Sequence, residues 1–362
     1  MKILHVITSL KIGGAEKLLV DMLPILNSTG HNADVLVFDG TNTPFMQMLI
    51  DKGINVYHLS IGGCVYNPMN IFKLIPYLRE YDIIHTHNTA TQLFAAIAKV
   101  LCSAVLCTTE HTTSNRRRDW KWYVPIDKFM YRRYSHVICI SDKTEENLRN
   151  HIGDVGVNIS TIYNGVNTSK YMNALPNEEL KRDTRKTILC MVAGFRPQKD
   201  QDTIIRSFQY LDKNKYELWL VGDGERRKEL KSLVDSEGIA DAVVFWGIRT
   251  DIPEILKTSD IIIMSSHFEG FGLAAVEGMA AGKPVIASDV DGLSQVVDKA
   301  GFIFPKGDSK ALASCIECIS SNQIMYAEYA KKSIERARVF DISYMVGAYI
   351  EVYKKIYRKD KN

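Results

Sequence analysis

Two glutamates in E-x7-E spacing, Glu269 and Glu277, bracket a Gly-Phe-Gly turn in the stretch SSHFEGFGLAAVEGMAAGKP, Ser265 to Pro284. The pattern predicts a short Ala-rich helix opening at that turn. Glu269 falls in the loop before it and Glu277 about a turn inside. Gly270 and Gly272 let backbone approach a ligand closely, and the helix N-terminus offers unpaired N–H groups to an anion. Carboxylates accept well from hydroxyl pairs, so the layout suits a sugar or ribose hydroxyl beside a phosphate. The plainer alternative is a surface helix with two solvated acids.

A second constellation is GFRPQKD, Gly194 to Asp200. Arg196 offers a planar fork and Lys199 a compact point charge, and both suit phosphate. The turn GGAE, Gly13 to Glu16, follows an apolar run and opens a helical pattern. It is not GxGxxG, which weakens a nicotinamide reading. His85 and His87 lie at i and i+2 near a strand end and share a face. No carboxylate or cysteine stands near them, so packing or cleft lining is preferred over a metal. His111 follows Glu110 at another strand end. Two DxD tripeptides, Asp200-Gln-Asp202 and Asp289-Val-Asp291, are read as structural, Asp200 as a helix N-cap. No metal site is assigned.

The elements that would position these groups alternate regularly. Both halves open alike: β-rich Ile3 to Thr8, then Gly13-Gly14, then a helical pattern; later Thr187 to Ala193, the Gly194 loop, and Thr203 to Tyr210. Further apolar runs at 33–38, 54–59, 83–86, 105–109, 137–140, 160–162, 217–221, 243–245, 261–264 and 285–287 read as strands separated by helices. That is the pattern of parallel sheets covered on both faces, the doubly wound α/β class. The chain has 362 residues, enough for two domains. The polar stretch 167–186 sets the expected boundary: residues 1–167 and 168–341, with the last segment from about 342 to 362 returning to the first domain. Ligands of such sheets bind in a cleft at the carboxyl ends of the strands. A net charge of +3 is too small to argue for nucleic acid. Seven scattered cysteines read as reduced thiols of a cytoplasmic protein. The short apolar N-terminus reads as a strand, not a signal peptide.

The E-x7-E helix followed by GKPVIASD, together with GGAE, Glu110-His111, NGV at Asn164 to Val166, GFRPQKD and VGDG at Val221 to Gly224, resembles family-four retaining glycosyltransferases. The resemblance runs from about residue 3 to about 300. It implies the GT-B fold, two Rossmann-like domains, and transfer of a hexose from a nucleotide diphosphate sugar, UDP-sugar favoured, to a hydroxyl of a glycan or lipid-linked acceptor in surface polysaccharide or glycoconjugate synthesis. It implies retention without a metal or other cofactor. Under it, Arg196, Lys199 and the N–H groups near Gly272 hold the diphosphate, and Gly194, Gly222 and Leu273 are among the donor-binding residues. Glu269 meets the donor-sugar hydroxyls and Glu277 the ribose, and Gly270 and Phe271 are also donor-binding. His111 hydrogen-bonds the donor sugar; Gly13 and Gly14 approach the donor phosphate; Glu16 and His87 lie on the acceptor side. The catalytic set is thus His111, Arg196, Lys199 and Glu269. Two departures bear on donor choice. Asp291-Gly292 and Gln295 stand where the family has Gly-Gly and Glu. Gly278 stands for the common Ala, at a helix cost of roughly 1 kcal/mol.

The segment from Arg116 to Tyr134 carries seven Lys/Arg against two Asp, interleaved with six aromatics. Arg116, Arg117, Arg118, Trp120 and Trp122 would rest on an anionic membrane surface, giving a peripheral protein on the inner face of the cytoplasmic membrane. The plainer alternative is a basic helix with its aromatics on the core. Rival functions are a hydrolysing nucleotide-sugar epimerase and a non-catalytic GT-B scaffold.

Overall fold

The computed structural model describes residues 1–113, 118 and 120–361. The chain forms two compact units, Met1–Gly165 with Ile342–Asn362, and Val166–Asp341. In the first, β1 (Lys2–Ile7), β2 (Asn32–Asp39), β3 (Val56–Ser60), β4 (Ile83–Thr86), β5 (Leu106–Glu110), β6 (His136–Cys139) and β7 (Asn158–Thr161) form one sheet in the order β3-β2-β1-β4-β5-β6-β7. In the second, β8 (Thr187–Val192), β9 (Tyr216–Val221), β10 (Val243–Gly247), β11 (Ile261–Met264), β12 (Val285–Ser288) and β13 (Phe302–Phe304) form another, in the order β10-β9-β8-β11-β12-β13. Every pairing is parallel, so helices must carry each crossover. This is the doubly wound α/β class expected from the alternation. All strands match an apolar run in the sequence except β13, which has three residues and was not anticipated.

Strand side chains alternate between two packed faces. Ile3, Ile7, Val35 and Ile138 join one cluster, while Leu4, Val6, Leu36 and Val137 join another. The closing helix, Ile342–Lys361, belongs to the first cluster through Met345, Val346, Tyr349, Tyr353 and Ile356. A Cβ on Gly165 would lie 2.5 Å from the Ile342 Cα, so the NGV glycine is what lets the helix start lie so close. The second unit centres on Leu189, Met191, Phe195, Ile204, Leu218, Ile263 and Ile286. Among the described residues, no helix is long and apolar enough to cross a membrane.

Candidate active site

In each sheet the strand order reverses once, between β1 and β4 and between β8 and β11. Crossovers leave such a pair on opposite faces, which opens a crevice at the strands' carboxyl ends. In the second unit the expected cation loop and acid loop both start there. Gly194–Asp200 follows β8, and Ser265–Gly272 follows β11. Three contacts latch one loop to the other. Lys199 Nζ donates to Glu269 Oε2, Ser265 Oγ donates to the Asp200 carbonyl at 2.7 Å, and the His267 N–H donates to the Gln198 carbonyl at 2.9 Å. Phe195, fully buried and edge-on to Phe245, anchors the cation loop between Gly194 and Arg196. Arg196 is exposed, and its side chain has no ion-pair partner among the described residues.

Asp200 caps the helix Gln201–Ser207, accepting from the Thr203 N–H at 3.3 Å, in a left-handed conformation at φ 50°. Burial raises its carboxyl pKa. Asp202 takes both terminal nitrogens of Arg226, at 2.5 and 3.0 Å, and those bonds hold its pKa down. That DxD tripeptide is thus spent on a cap and an ion pair. Asp289 accepts from Ser294 Oγ at 2.7 Å.

Glycines bring the backbone together around this site. A Cβ on Gly222, at φ 132°, would lie 2.1 Å from the Ala193 carbonyl oxygen, where the β9 loop crosses the β8 loop. One on Gly292, the second residue of the Asp291-Gly292 pair and a glycine as in the family pattern, would lie 2.5 Å from the Glu269 carbonyl oxygen, so this glycine lets the neighbouring helix pack directly on the acid loop. Gly272, at φ 96°, opens the helix Leu273–Ala280 beside Leu293. Phe271 is buried edge-on against Phe340, and Leu273 and Gly270 are half-buried. Glu277 sits inside the helix with only 4% of its surface exposed. Gly278 has a packing reason: a Cβ there would come 2.7 Å from Ile262 Cγ1 on β11.

In the first unit, β1 leads to Gly13, the N-cap of the helix Gly14–Ser28. The Glu16 carboxylate folds back over it, with Oε2 2.3 Å from where a Gly13 Cβ would stand. The β1–β4 pair supplies a feature unseen in the sequence. His5 pairs with His85 in register, and His5, His85 and His87 stack, with ring centroids 4.4 to 5.2 Å apart. His5 Nδ1 meets His87 Nε2 at 2.9 Å, and His87 Nδ1 meets His111 Nε2 at 2.9 Å. His85 bonds Tyr353 Oη at 2.5 Å and Thr109 Oγ1 at 2.8 Å. Ligand atoms of His5, His85 and His87 lie within 4.8 Å of one another, but His85 and His87 use both ring nitrogens in these bonds. Burial pushes His5 down to about 3 and His111 to about 4, and holds His85 and His87 well below the ordinary value, so the rings are neutral. The sequence placed His87 on the acceptor side; its side chain is fully buried, and only His111 reaches outward.

Glu110 is a buried carboxylate held by Gln92 Nε2 at 2.6 Å, Tyr131 Oη at 2.6 Å and Arg118 Nη2 at 3.1 Å. This corrects the expectation for Arg118, whose side chain is 10% exposed and turned inward rather than lying on a basic surface. Arg116 and Arg117 lie outside the described residues. Trp120 and Trp122 are exposed and stacked at 5.6 Å, with exposed Lys121, Phe129, Arg132 and Arg133 nearby in sequence.

The family model for glycosyl transferases group 1 matches residues 175–339, and that for glycosyltransferase family 4 matches residues 12–170. An Escherichia coli UDP-Gal:alpha-D-GlcNAc-diphosphoundecaprenol alpha-1,3-galactosyltransferase is 26% identical over 71% of this chain and 70% of its own. A Mycobacterium leprae phosphatidyl-myo-inositol mannosyltransferase is 22% identical over 95% of this chain and 93% of its own. Among solved structures, Anabaena HepE in complex with UDP-glucose superposes with a TM-score of 0.87 at 24% identity, over 98% of this chain and 100% of that one. The two units have the GT-B fold, and the chain belongs to the family-four glycosyltransferases. It is a glycosyltransferase.

Proposed function

We propose that this glycosyltransferase moves a hexose, with retention, from a UDP-sugar to a hydroxyl of a lipid-linked or glycan acceptor in surface polysaccharide synthesis. The observation that carries the reading is the latch at the β8–β11 reversal, which sets Lys199 against Glu269, with Arg196 exposed on the same cation loop. A diphosphate leaving group gains charge as the glycosidic bond breaks, and fixed cations and N–H groups at that point lower the barrier. Arg196, Lys199 and the N–H groups near Gly272 hold the diphosphate. Glu269 accepts from sugar hydroxyls, and Glu277 from the ribose. His111 meets the transferred sugar. The acceptor oxygen bonds to the anomeric carbon on the face the phosphate leaves, and the departing phosphate oxygen takes the acceptor proton. No protein nucleophile or metal is used. The complex of Anabaena HepE with UDP-glucose and the lipid-linked substrate named for the E. coli relative support the donor and acceptor classes.

The exposed Trp120–Trp122 stack and its neighbouring cations suit an anionic membrane surface, where the rings enter the headgroup region and the cations meet phosphate. The donor is tested by a panel of UDP- and GDP-sugars in thermal melts, since a ligand bound only by the folded chain raises Tm. Stabilisation by UDP-sugars is expected; stabilisation by GDP-sugars alone would overturn the UDP assignment.

A further inference from the structure

His5, His87 and His111 form one hydrogen-bonded line, and its inner end decides its direction. His5 Nε2 is buried and has no partner. Each ring is neutral and carries one proton, so the line can point only two ways. If His111 donated to His87 and His87 to His5, the His5 proton would sit on Nε2 as a buried N–H with no acceptor. If His5 donates to His87 and His87 to His111, the orphan is a bare lone pair. Orphaned buried donors are the rarer and costlier case, so the outward direction wins. Neutrality follows from burial, which depresses all three rings despite Glu110 being adjacent to His111 in sequence.

We propose that His5 and His87 are positioning residues that fix His111 with its proton on Nδ1, so that an N–H donor faces outward toward a hydroxyl of the transferred sugar. The use of that donor rests on the transferase reading above; the tautomer does not. His111 Nε2 is occupied by the incoming N–H from His87, and Nδ1 has no partner among the described residues. The stacked His85, tied to Tyr353 and Thr109, walls the line on its other side. His111 is therefore a constant donor across the working pH range, because protonating it would set two N–H groups against each other.

The test is long-range 1H–15N correlation on the full chain with labelled histidine, the His111 signal assigned by its loss in His111→Gln. Without substrate, His111 should show the Nδ1–H tautomer at pH 7. An Nε2–H signal would overturn the proposal while leaving the transferase reading intact. In His87→Asn the amide can turn its oxygen toward His111. The His111 pKa should then rise by more than one unit toward 6.5, and the acid limb of transfer activity should move with it. An unchanged titration in that variant would show that His87 only fills space, and would also overturn the proposal. Loss of transfer with the Nδ1–H tautomer in place would instead count against the transferase reading.

Discussion

At the scale of single residues, the two cations of the phosphate loop are not equivalent. Lys199 is already spent on Glu269, whereas Arg196 has no ion-pair partner among the described residues. Lys199→Ala is expected to lower turnover by about two to three orders of magnitude, the scale of removing one charge-stabilising donor. It also strips Glu269 of its partner, so steady-state kinetics should be paired with a melt. Near-normal turnover would remove Lys199 from the catalytic set. Gly222 invites a stability test. Its φ of 132° and the Ala193 carbonyl 2.1 Å from a virtual Cβ leave no room for a side chain. Gly222→Ala should cost about 2 kcal/mol, read as a lower urea midpoint; an unchanged midpoint would mean the two loops yield freely.

At the scale of elements, Gly278 sets helix propensity against packing. Propensity alone says Gly278→Ala should stabilise the helix Leu273–Ala280 by roughly 1 kcal/mol. The new methyl would meet the buried, β-branched Ile262 on β11 at 2.7 Å, and overpacking of that kind costs about 1–3 kcal/mol. A net loss on chemical denaturation is expected, and a gain would show that the helix can lift off the sheet. The histidine stack across β1 and β4 carries a pH prediction. His5 is neutral when folded, with a pKa near 3, but takes up a proton near 6.5 once unfolded. Its contribution is therefore complete above 6.5 and lost as pH falls. Each such histidine withdraws up to about 1.4 kcal/mol per pH unit. Melts between pH 7.5 and 5 should show a steep fall in Tm, and a flat profile would contradict burial of the stack.

These elements also show what the sequence could and could not say. The strands were legible because parallel strands buried on both faces read as continuous apolar runs. β13 was not, since Phe302–Phe304 is too short to show a period. The Asp200 cap was legible from its place before a helical pattern. The histidine line was not: His5 looks like a single polar residue in KILHVI, and its hydrogen-bond partner His87 lies 82 positions away. Arg118 misled for a related reason. A run of three arginines reads as surface, and nothing local reveals that Glu110 draws the third inward.

At the scale of the whole molecule, the membrane proposal predicts that Trp120→Ser combined with Trp122→Ser reduces co-sedimentation with anionic vesicles severalfold, with activity on a soluble acceptor retained. Equal sedimentation of variant and parent would end that proposal. The central claim, that the loops after β8 and β11 grip a nucleotide diphosphate, is tested most directly by calorimetric titration of UDP into the parent chain and Arg196→Ala. Arg196 supports no other part of the described structure, so the variant should keep the parent's melting temperature. One UDP should bind per chain, and Arg196→Ala should weaken it about 10- to 100-fold, the worth of one charge-assisted contact of about 1.5–3 kcal/mol. Equal affinity in the two proteins, or no binding to either, would contradict the claim.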